Sequence, residues 1–283
     1  MVIASLDKSQ NQLRKTTVKR SCLAAALAAI SALINLDAWA QPFPSRSIRI
    51  IVPLAAGGAA DNMARITSER IAQAIGQSIT VENLTGAGGN VGAAQVARAE
   101  PNGYTLLATI DSVLTINPHV TPKMPFNAID DFEPWIKLVD VPLYLAAHRS
   151  FSGRTLPEAI VVAKTKPGQF AIGSSGPGSP HHIAIELLKR SAGVQRAHVP
   201  YRGAAQSVTS WLGFLAPAKT PRPVLERLAI EYAAAARIPE LAERLKQGGM
   251  DPAPVSLDEI GKLLRADHAR MGKIVRDAAI TLN

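Results

Sequence analysis

The sequence predicts an α/β protein built in two lobes. Short β-type runs alternate with stretches whose apolar residues recur at helical spacing, the pattern of parallel strands with helices on both faces. Three loops rich in glycine or serine fall where a strand hands over to a helix. A stretch marked by Pro122, Pro125 and Pro134 reads as loop, and the alternation restarts near Pro142.

In chain order, Ser47–Val52 reads as a strand stopped by Pro53, and the Gly57-Gly58 loop leads to Asp61. Met63, Ile66, Ile71, Ala74 and Ile75 then fall on one helical face, and Gly76 stands where a left-handed residue closes a helix. Ser78–Val81 is the next strand, followed by the loop Asn83–Asn90, a helix through Ala99 and a third strand, Tyr104–Ala108. The second set comprises strand Leu143–Ala147, helix Pro157–Lys164, strand Phe170–Ile172, helix 180–192 and strand Ala197–Pro200. The rest is helical: Thr220-Pro221 reads as an N-cap with proline at the first helical position. Pro239–Gln247 ends at Gly248-Gly249, and Ser256-Leu-Asp-Glu259 is a capping box opening a last helix to about Ala278.

The N-terminus is a secretory signal in pattern. Lys8, Arg14, Lys15, Lys19 and Arg20 face one acid, Asp7, before the apolar run Cys22–Ile34 and the small-x-small triplet Ala38-Trp39-Ala40. The run is short of the ~20 apolar residues that cross a bilayer. Cleavage after Ala40 is expected, leaving Gln41–Asn283 in the periplasm without a stable membrane anchor. The one cysteine, Cys22, lies within the signal, so a cysteine-based metal site, redox motif or nucleophile is excluded from the mature chain. The net charge of +9 falls to +6 once the five bases and two acids of residues 1–40 are removed. The remaining bases are spread along the chain without Lys/Arg clusters interleaved with aromatics. That argues against nucleic-acid binding and leaves only a mild bias toward anionic ligands.

Chemistry concentrates in three loops. In Pro53–Asp61, paired glycines let backbone approach a ligand, and the N–H groups of the following helix favour an anion; Asp61 is either a ligand contact or the N-cap. Thr85–Gly92 is glycine-rich but lacks the dinucleotide fingerprint, because Val91 stands where a third glycine belongs; it is a ligand loop or a tight turn. Gly173–Ser179 is not a nucleophile elbow, since Pro177 occupies the required glycine position. Adjacent His181-His182 cannot share one helix face as i and i+4 metal ligands would, and no H-E-x-x-H is present. Backbone-rich loops without a charged catalytic cluster suit binding better than turnover. No cofactor, metal or catalytic residue is expected, and the chain is not read as an enzyme.

The ordered set of short motifs carries a resemblance. Ile48-Arg-Ile-Ile-Val-Pro53, Gly57-Gly58-x-x-Asp61-x-x-Ala64-Arg65, Val81-Glu-Asn83 and Gly86-Ala-Gly-Gly89 resemble the solute receptors of tripartite tricarboxylate transporters, the Bug family. Pro101–Leu106, Asp131-Phe132, Pro167-Gly168, Gly173-Ser174, His198–Tyr201, Trp211-x-Gly213 and Ala216-Pro-x-x-Thr220-Pro221 continue it in order. The resemblance implies a two-lobed periplasmic-binding-protein-like fold of type II with the ligand in the cleft. It implies small organic acids as ligands and delivery to membrane permease subunits driven by an ion gradient. Lobe 1 is then residues 41–140 plus 211–283, and lobe 2 is 141–210. The carboxylate is expected on backbone N–H groups of Leu54, Ala55, Gly57 and Gly58, of Gly86, Ala87, Gly88 and Gly89, and on Gly173, Ser174, Ser175, Gly178 and Ser179. Asp61 would orient a polar group; Thr109, Ser112 and Tyr201 are further candidates. A sensor that docks on a membrane kinase is the alternative from another class.

One departure stands out. Relatives carry a long segment between the equivalents of Gly203-Ala-Ala and Trp211, whereas Gln206–Ser210 runs straight into Trp211 here. About fifty to sixty residues are expected to be absent, which would expose apolar faces and unpaired edges in a reduced second lobe. Such a lobe is incomplete, unstable or repaired by dimerisation, and a binding-defective member of the family is a further alternative.

Overall fold

A computed structural model describes residues 43–166, 171–174, 179–194, 197–200, 210–277 and 280. Residues 1–40, with the expected signal and cleavage site, lie outside the described residues. Backbone contacts separate Met1–Phe43 from a compact unit, Pro44–Asn283, which holds everything below.

The first half builds the expected βαβ alternation: β1 (Ile48–Val52), α1 (Ala59–Ile75), β2 (Ile79–Asn83), α2 (Asn90–Ala97) and β3 (Thr105–Ile110). Gly76 ends α1 at φ +67°, the left-handed turn its sequence position calls for. Two four-residue helical turns follow, α3 (Ser112–Thr115) and α4 (Asn117–Val120), and then the ten-residue β4 (Phe132–Val141). The second half comprises α5 (Leu156–Thr165), β5 (Ala171–Ser174), α6 (Pro180–Ala192), β6 (Ala197–Pro200), β7 (Ser210–Pro217), α7 (Arg222–Ala236), α8 (Pro239–Gln247), β8 (Asp251–Val255) and α9 (Leu257–Asp277).

Six strands form one sheet in the order β2-β1-β3-β7-β4-β8. β1 pairs parallel with both β2 and β3, but β7 runs antiparallel to β3 and β4, and β8 antiparallel to β4. The sheet is therefore mixed, which corrects the expectation of parallel strands alone. Three of its strands were not legible. β4 contains Pro134, assigned to a loop above; proline is tolerated because the ladder shifts register between Pro134 and Ile136. β7 is buried at all eight positions, so it shows no alternation to read. β8 has two prolines in five residues and survives as the edge strand.

Helices cover both faces. α1, α7 and α8 pack on one another, and Trp135, Phe214 and Tyr232 stack within 5.3 Å of each other in the core. A second core joins Ile51, Leu107 and Leu215 of the sheet to Ala93 and Val96 of α2 and to Ile260 and Leu264 of α9. Each of the Val, Leu and Ile side chains, fully buried, contributes about 1.5–3 kcal/mol. The helix starts test the cap readings. Ahead of α9 the Ser256 hydroxyl donates to Glu259 Oε2 at 2.9 Å, while Glu259 N–H reaches the Ser256 carbonyl at 3.1 Å, so the two side chains pair with each other and not in the side-chain-to-backbone pattern of the expected capping box. Thr220 is not the cap of α7: Pro221 takes that position, and the Thr220 hydroxyl donates to the Pro217 carbonyl at 2.7 Å.

β5 and β6 form a separate parallel pair, from Ala171↔Ala197 to Ser174↔Pro200, with α6 packed against it. The expected strand Leu143–Ala147 is not one. The chain leaves β4 at Val141 and runs on in no helix or strand, exposed from Tyr144 onward. Its apolar run is strand-like in composition, but a strand exists only where a neighbour satisfies its amides.

Candidate ligand-binding site

Because β1, β2 and β3 are adjacent and parallel, the loops that follow them emerge at one edge of the sheet. In α/β sheets that carboxyl edge is where ligands bind. The first loop, Pro53–Gly58, is stitched to its surroundings. Gly58 N–H donates to the Ala55 carbonyl at 3.2 Å, and Gly57 N–H, at φ +77°, donates to Asp61 Oδ2 at 2.8 Å. The two glycines thus spend their own donors inside the loop. Left over are the N–H groups of Leu54, Ala55 and Ala56, which make no hydrogen bond among the described residues. The first turn of α1 adds its own orphan N–H groups and the positive end of a 17-residue helix dipole.

Asp61 is not the N-cap, which is Gly58, and its side chain is buried. Its buried carboxylate accepts from Gly57 N–H, from Arg65 Nε at 2.9 Å and from Asn83 Nδ2 at 3.0 Å. Burial alone would raise its pKa, but the hydrogen bonds from Arg65, Gly57 and Asn83 outweigh that and hold it below the usual carboxylate value. Asn83 also donates to the Leu54 carbonyl at 3.1 Å and accepts from Arg65 at 3.0 Å. Asp61, Arg65 and Asn83 together fix the first loop against the end of β2.

The second loop lies alongside. Four successive residues, Gly86 to Gly89, have positive φ (+141°, +46°, +66° and +100°). Glycine adopts these angles freely, whereas Ala87 is strained there, and such strain gathers at functional loops. Gly89 N–H closes onto the Gly86 carbonyl at 2.9 Å, while the exposed Ala87 and Gly88 keep unbonded N–H groups. Asn117 pins the loop from below, donating to the Gly88 carbonyl at 3.0 Å and to Asn90 Oδ1 at 2.8 Å. The two loops touch: a Cβ at Gly92 would lie 2.8 Å from Pro53 Cβ, and one at Gly89 would lie 3.7 Å from Leu54 Cδ2. The turn after β3 completes the group, since Val113 also packs on Gly89. Thr109 and Ser112 flank that turn and are buried.

Of the third loop, Gly173 and Ser174 end β5, and Ser179 caps α6, its hydroxyl accepting from His182 N–H at 3.2 Å. Ser175, Gly178 and Tyr201 lie outside the described residues. Sequence reading missed Asn90 and Asn117, polar side chains that hold a ligand loop without facing out of it. The only available cue was the Asn117-Pro118 step.

A second polar cluster sits where the chain enters β7. The Ser210 hydroxyl donates to Asp111 Oδ1, Trp211 Nε1 donates to Asp267 Oδ2 at 2.9 Å, and Arg270 pairs with Asp267 at 2.8 Å. Burial pushes Asp111 up to about 7, and the Asp267 charge adds to that, against hydrogen bonds from Ser210 and Ser112 N–H. Beside it lies a cavity of about 50 Å³ lined by Asp111, Ser210, Arg270 and apolar residues of α6 and α9. That volume suits water, not an organic acid. Among the described residues no group of three His, Cys, Asp or Glu side chains could hold a metal, and no helix is long and apolar enough to cross a membrane.

Among the described residues, the carboxyl edge of this α/β sheet presents unbonded backbone donors, an arrangement suited to holding an anionic solute. Known proteins place the chain further. It matches the tripartite tricarboxylate transporter family receptor over residues 63–210 and 206–280, and it belongs to that family. A UPF0065 protein of Bordetella pertussis is 28% identical over 301 residues, covering 86% of this chain and 93% of that one. Protein BugT of the same organism is 32% identical over 189 residues, 66% of this chain and 57% of its own. An R. palustris protein solved with adipate has the same fold, with a TM-score of 0.78 at 24% identity over 85% of this chain and 100% of that one. The matched family is a family of transporter receptors.

The match also has a seam. Its two stretches meet at residues 206–210. The 301 aligned positions draw on 86% of 283 residues, about 243, so about 58 positions of the Bordetella protein have no counterpart here.

Proposed function

We propose that the chain is a periplasmic receptor for a small organic carboxylate, matured by cleavage near Ala40, that hands its ligand to the permease subunits of a tripartite transporter. The observation that carries the reading is the row of unbonded N–H groups at one sheet edge. Leu54, Ala55 and Ala56 lie in one loop, Ala87 and Gly88 in the loop packed against it, with the N-terminus of α1 behind them. Fixed N–H donors at a helix start bind an anion without needing a cationic side chain. The family description and the mature net charge point the same way.

In this reading, Gly57 and Gly58 shape the first loop, and Asp61 holds it through Arg65 and Asn83 without touching the acid. Gly86 and Gly89 shape the second. Thr109 and Ser112 face the ligand from the turn after β3, and the loop from Gly173 to Ser179, with Tyr201, closes from the opposite lobe. Residues 41–140 and 211–283 make the first lobe, and 141–210 a reduced second one. The permease partner follows from family membership. Backbone donors recognise the carboxylate and leave the rest of the molecule to contacts from the second lobe, so the identity of the acid is set there.

Titration calorimetry against mono-, di- and tricarboxylates, acidic amino acids and neutral sugars tests this. Saturable heat with at least one carboxylate and none with sugars is expected. Binding of sugars with silence from every acid would overturn it.

A further inference from the structure

Among the described residues, one apolar run of strand-like composition lacks a ladder. From Leu143 to Ala147 the backbone is in no helix or strand and makes no hydrogen bond to any described residue. Its side chains are apolar and open: Tyr144 is 68% and Leu145 56% exposed, and on nearby α5 Val161 is 60% exposed. Five consecutive bare amides beside exposed apolar side chains form a template for strand addition.

The relatives point to why it is bare. About 58 positions of the Bordetella protein have no counterpart here, and the family match breaks at 206–210, between β6 and β7. This chain therefore has that much less of its own to lay beside the bare run.

We propose that Leu143–Ala147 pairs antiparallel with the same run of a second copy, giving a two-fold dimer. A strand paired with itself about a two-fold axis sets one residue opposite its own copy. Placing Tyr144 there satisfies three requirements at once. Leu143 faces the partner's Leu145 on one side of the ribbon, and does so twice, while the two tyrosines meet on the other; aliphatic and aromatic cross-strand pairs are the favourable ones. If Tyr144 takes a non-hydrogen-bonded site, Leu143 and Leu145 take the hydrogen-bonded ones, where their N–H groups are needed. Pro142 then falls at a non-hydrogen-bonded site opposite the partner's Ala146, so its missing N–H costs nothing. The run carries no charge, so no like charges meet along it. The neutrality and self-complementarity favour a second copy over a charged partner.

The test uses the mature chain, Gln41–Asn283, which carries no cysteine. Analytical ultracentrifugation should show a monomer–dimer equilibrium at micromolar concentrations, since the added interface is small. Leu145→Pro deletes an N–H that the monomer leaves unbonded, so it should give monomers with unchanged circular dichroism. Tyr144→Cys should form a disulfide-linked dimer on mild oxidation, because self-opposed non-hydrogen-bonded positions lie about 4.5 Å apart at Cα. Leu145→Cys should not link. A chain monomeric at all accessible concentrations, a dimer indifferent to Leu145→Pro, or linking through position 145 but not 144 would overturn the proposal. So would slow hydrogen exchange at 143–147 in a monomer, which would mean that the chain's own residues cover the run.

Discussion

Asn83 Nδ2 donates to Asp61 Oδ1 at 3.0 Å and to the Leu54 carbonyl at 3.1 Å, so one amide ties the helix start and the first ligand loop to the end of β2. Asp61 accepts from three donors in all, Gly57 N–H and Arg65 Nε being the others. Asp61→Asn keeps the shape but sets an NH₂ group against a donor and strips Arg65 of its ion-pair partner. The expected loss is about 1–3 kcal/mol in urea denaturation at neutral pH. Because the folded-state pKa of Asp61 is lowered, its contribution is present above the unfolded carboxylate value and disappears as pH falls through the folded one. The wild-type advantage over Asp61→Asn should therefore shrink steadily below about pH 4.

Asp111 behaves in the opposite sense. Its pKa is raised to about 7 by burial, so the folded state holds a proton that the unfolded chain releases near pH 4. Stability should fall as pH rises from about 4 to about 7 and level off above that. Asp111→Asn keeps an acceptor for Ser210 and removes the charge. Its melting temperature should exceed the wild type's at pH 8 and match it at pH 4, with a difference worth a few kcal/mol in all. Equal slopes for both proteins between these pH values would contradict the assignment.

Gly89 is held at φ +100°, and a Cβ there would lie 2.9 Å from Val113 Cγ2. Gly89→Ala should cost about 1–3 kcal/mol in stability through strain. It should also weaken carboxylate binding more than Gly76→Ala, a change at similar φ (+67°) with open space around it. Calorimetry on the two variants separates a site effect from a general one.

On the proposed reading of a reduced second lobe, few contacts would close over the ligand, and the affinity should be low. At about 1 mM acid the linkage gain should stay under about 1 kcal/mol, a rise of no more than about 3 °C in Tm. A shift several times larger in differential scanning fluorimetry would show that the second lobe closes fully.

The β1-α1-β2-α2-β3 succession was legible because its residues act locally: Pro53 stops a strand, Gly76 ends a helix, and Ile66 and Ile71 mark a face. What failed were properties fixed by neighbours. β7 shows no pattern because sheet and helices bury all its positions, and β8 and Pro134 of β4 defy propensity because an edge and a bulge excuse them. Leu143–Ala147 has the pattern but lacks the partner. The site divides along the same line. Glycine placement announced the first two loops, whereas their hydrogen-bond accounting, which spends Gly57 and Gly58 inward and leaves Leu54 to Ala56 free, needed coordinates. Asn117 supports Gly88 from 29 residues away in the chain, beyond the reach of any local signal.

The central claim is that a carboxylate sits on the backbone of two adjacent loops. Nuclear magnetic resonance on protein carrying nitrogen-labelled glycine and alanine reads those amides one by one. Titrated with an acid that calorimetry identifies as a ligand, the signals of Ala55, Ala56, Ala87 and Gly88 should move together and saturate, while Gly76 and Gly272 stay still. Saturable binding of the acid with those four signals unmoved would contradict the account.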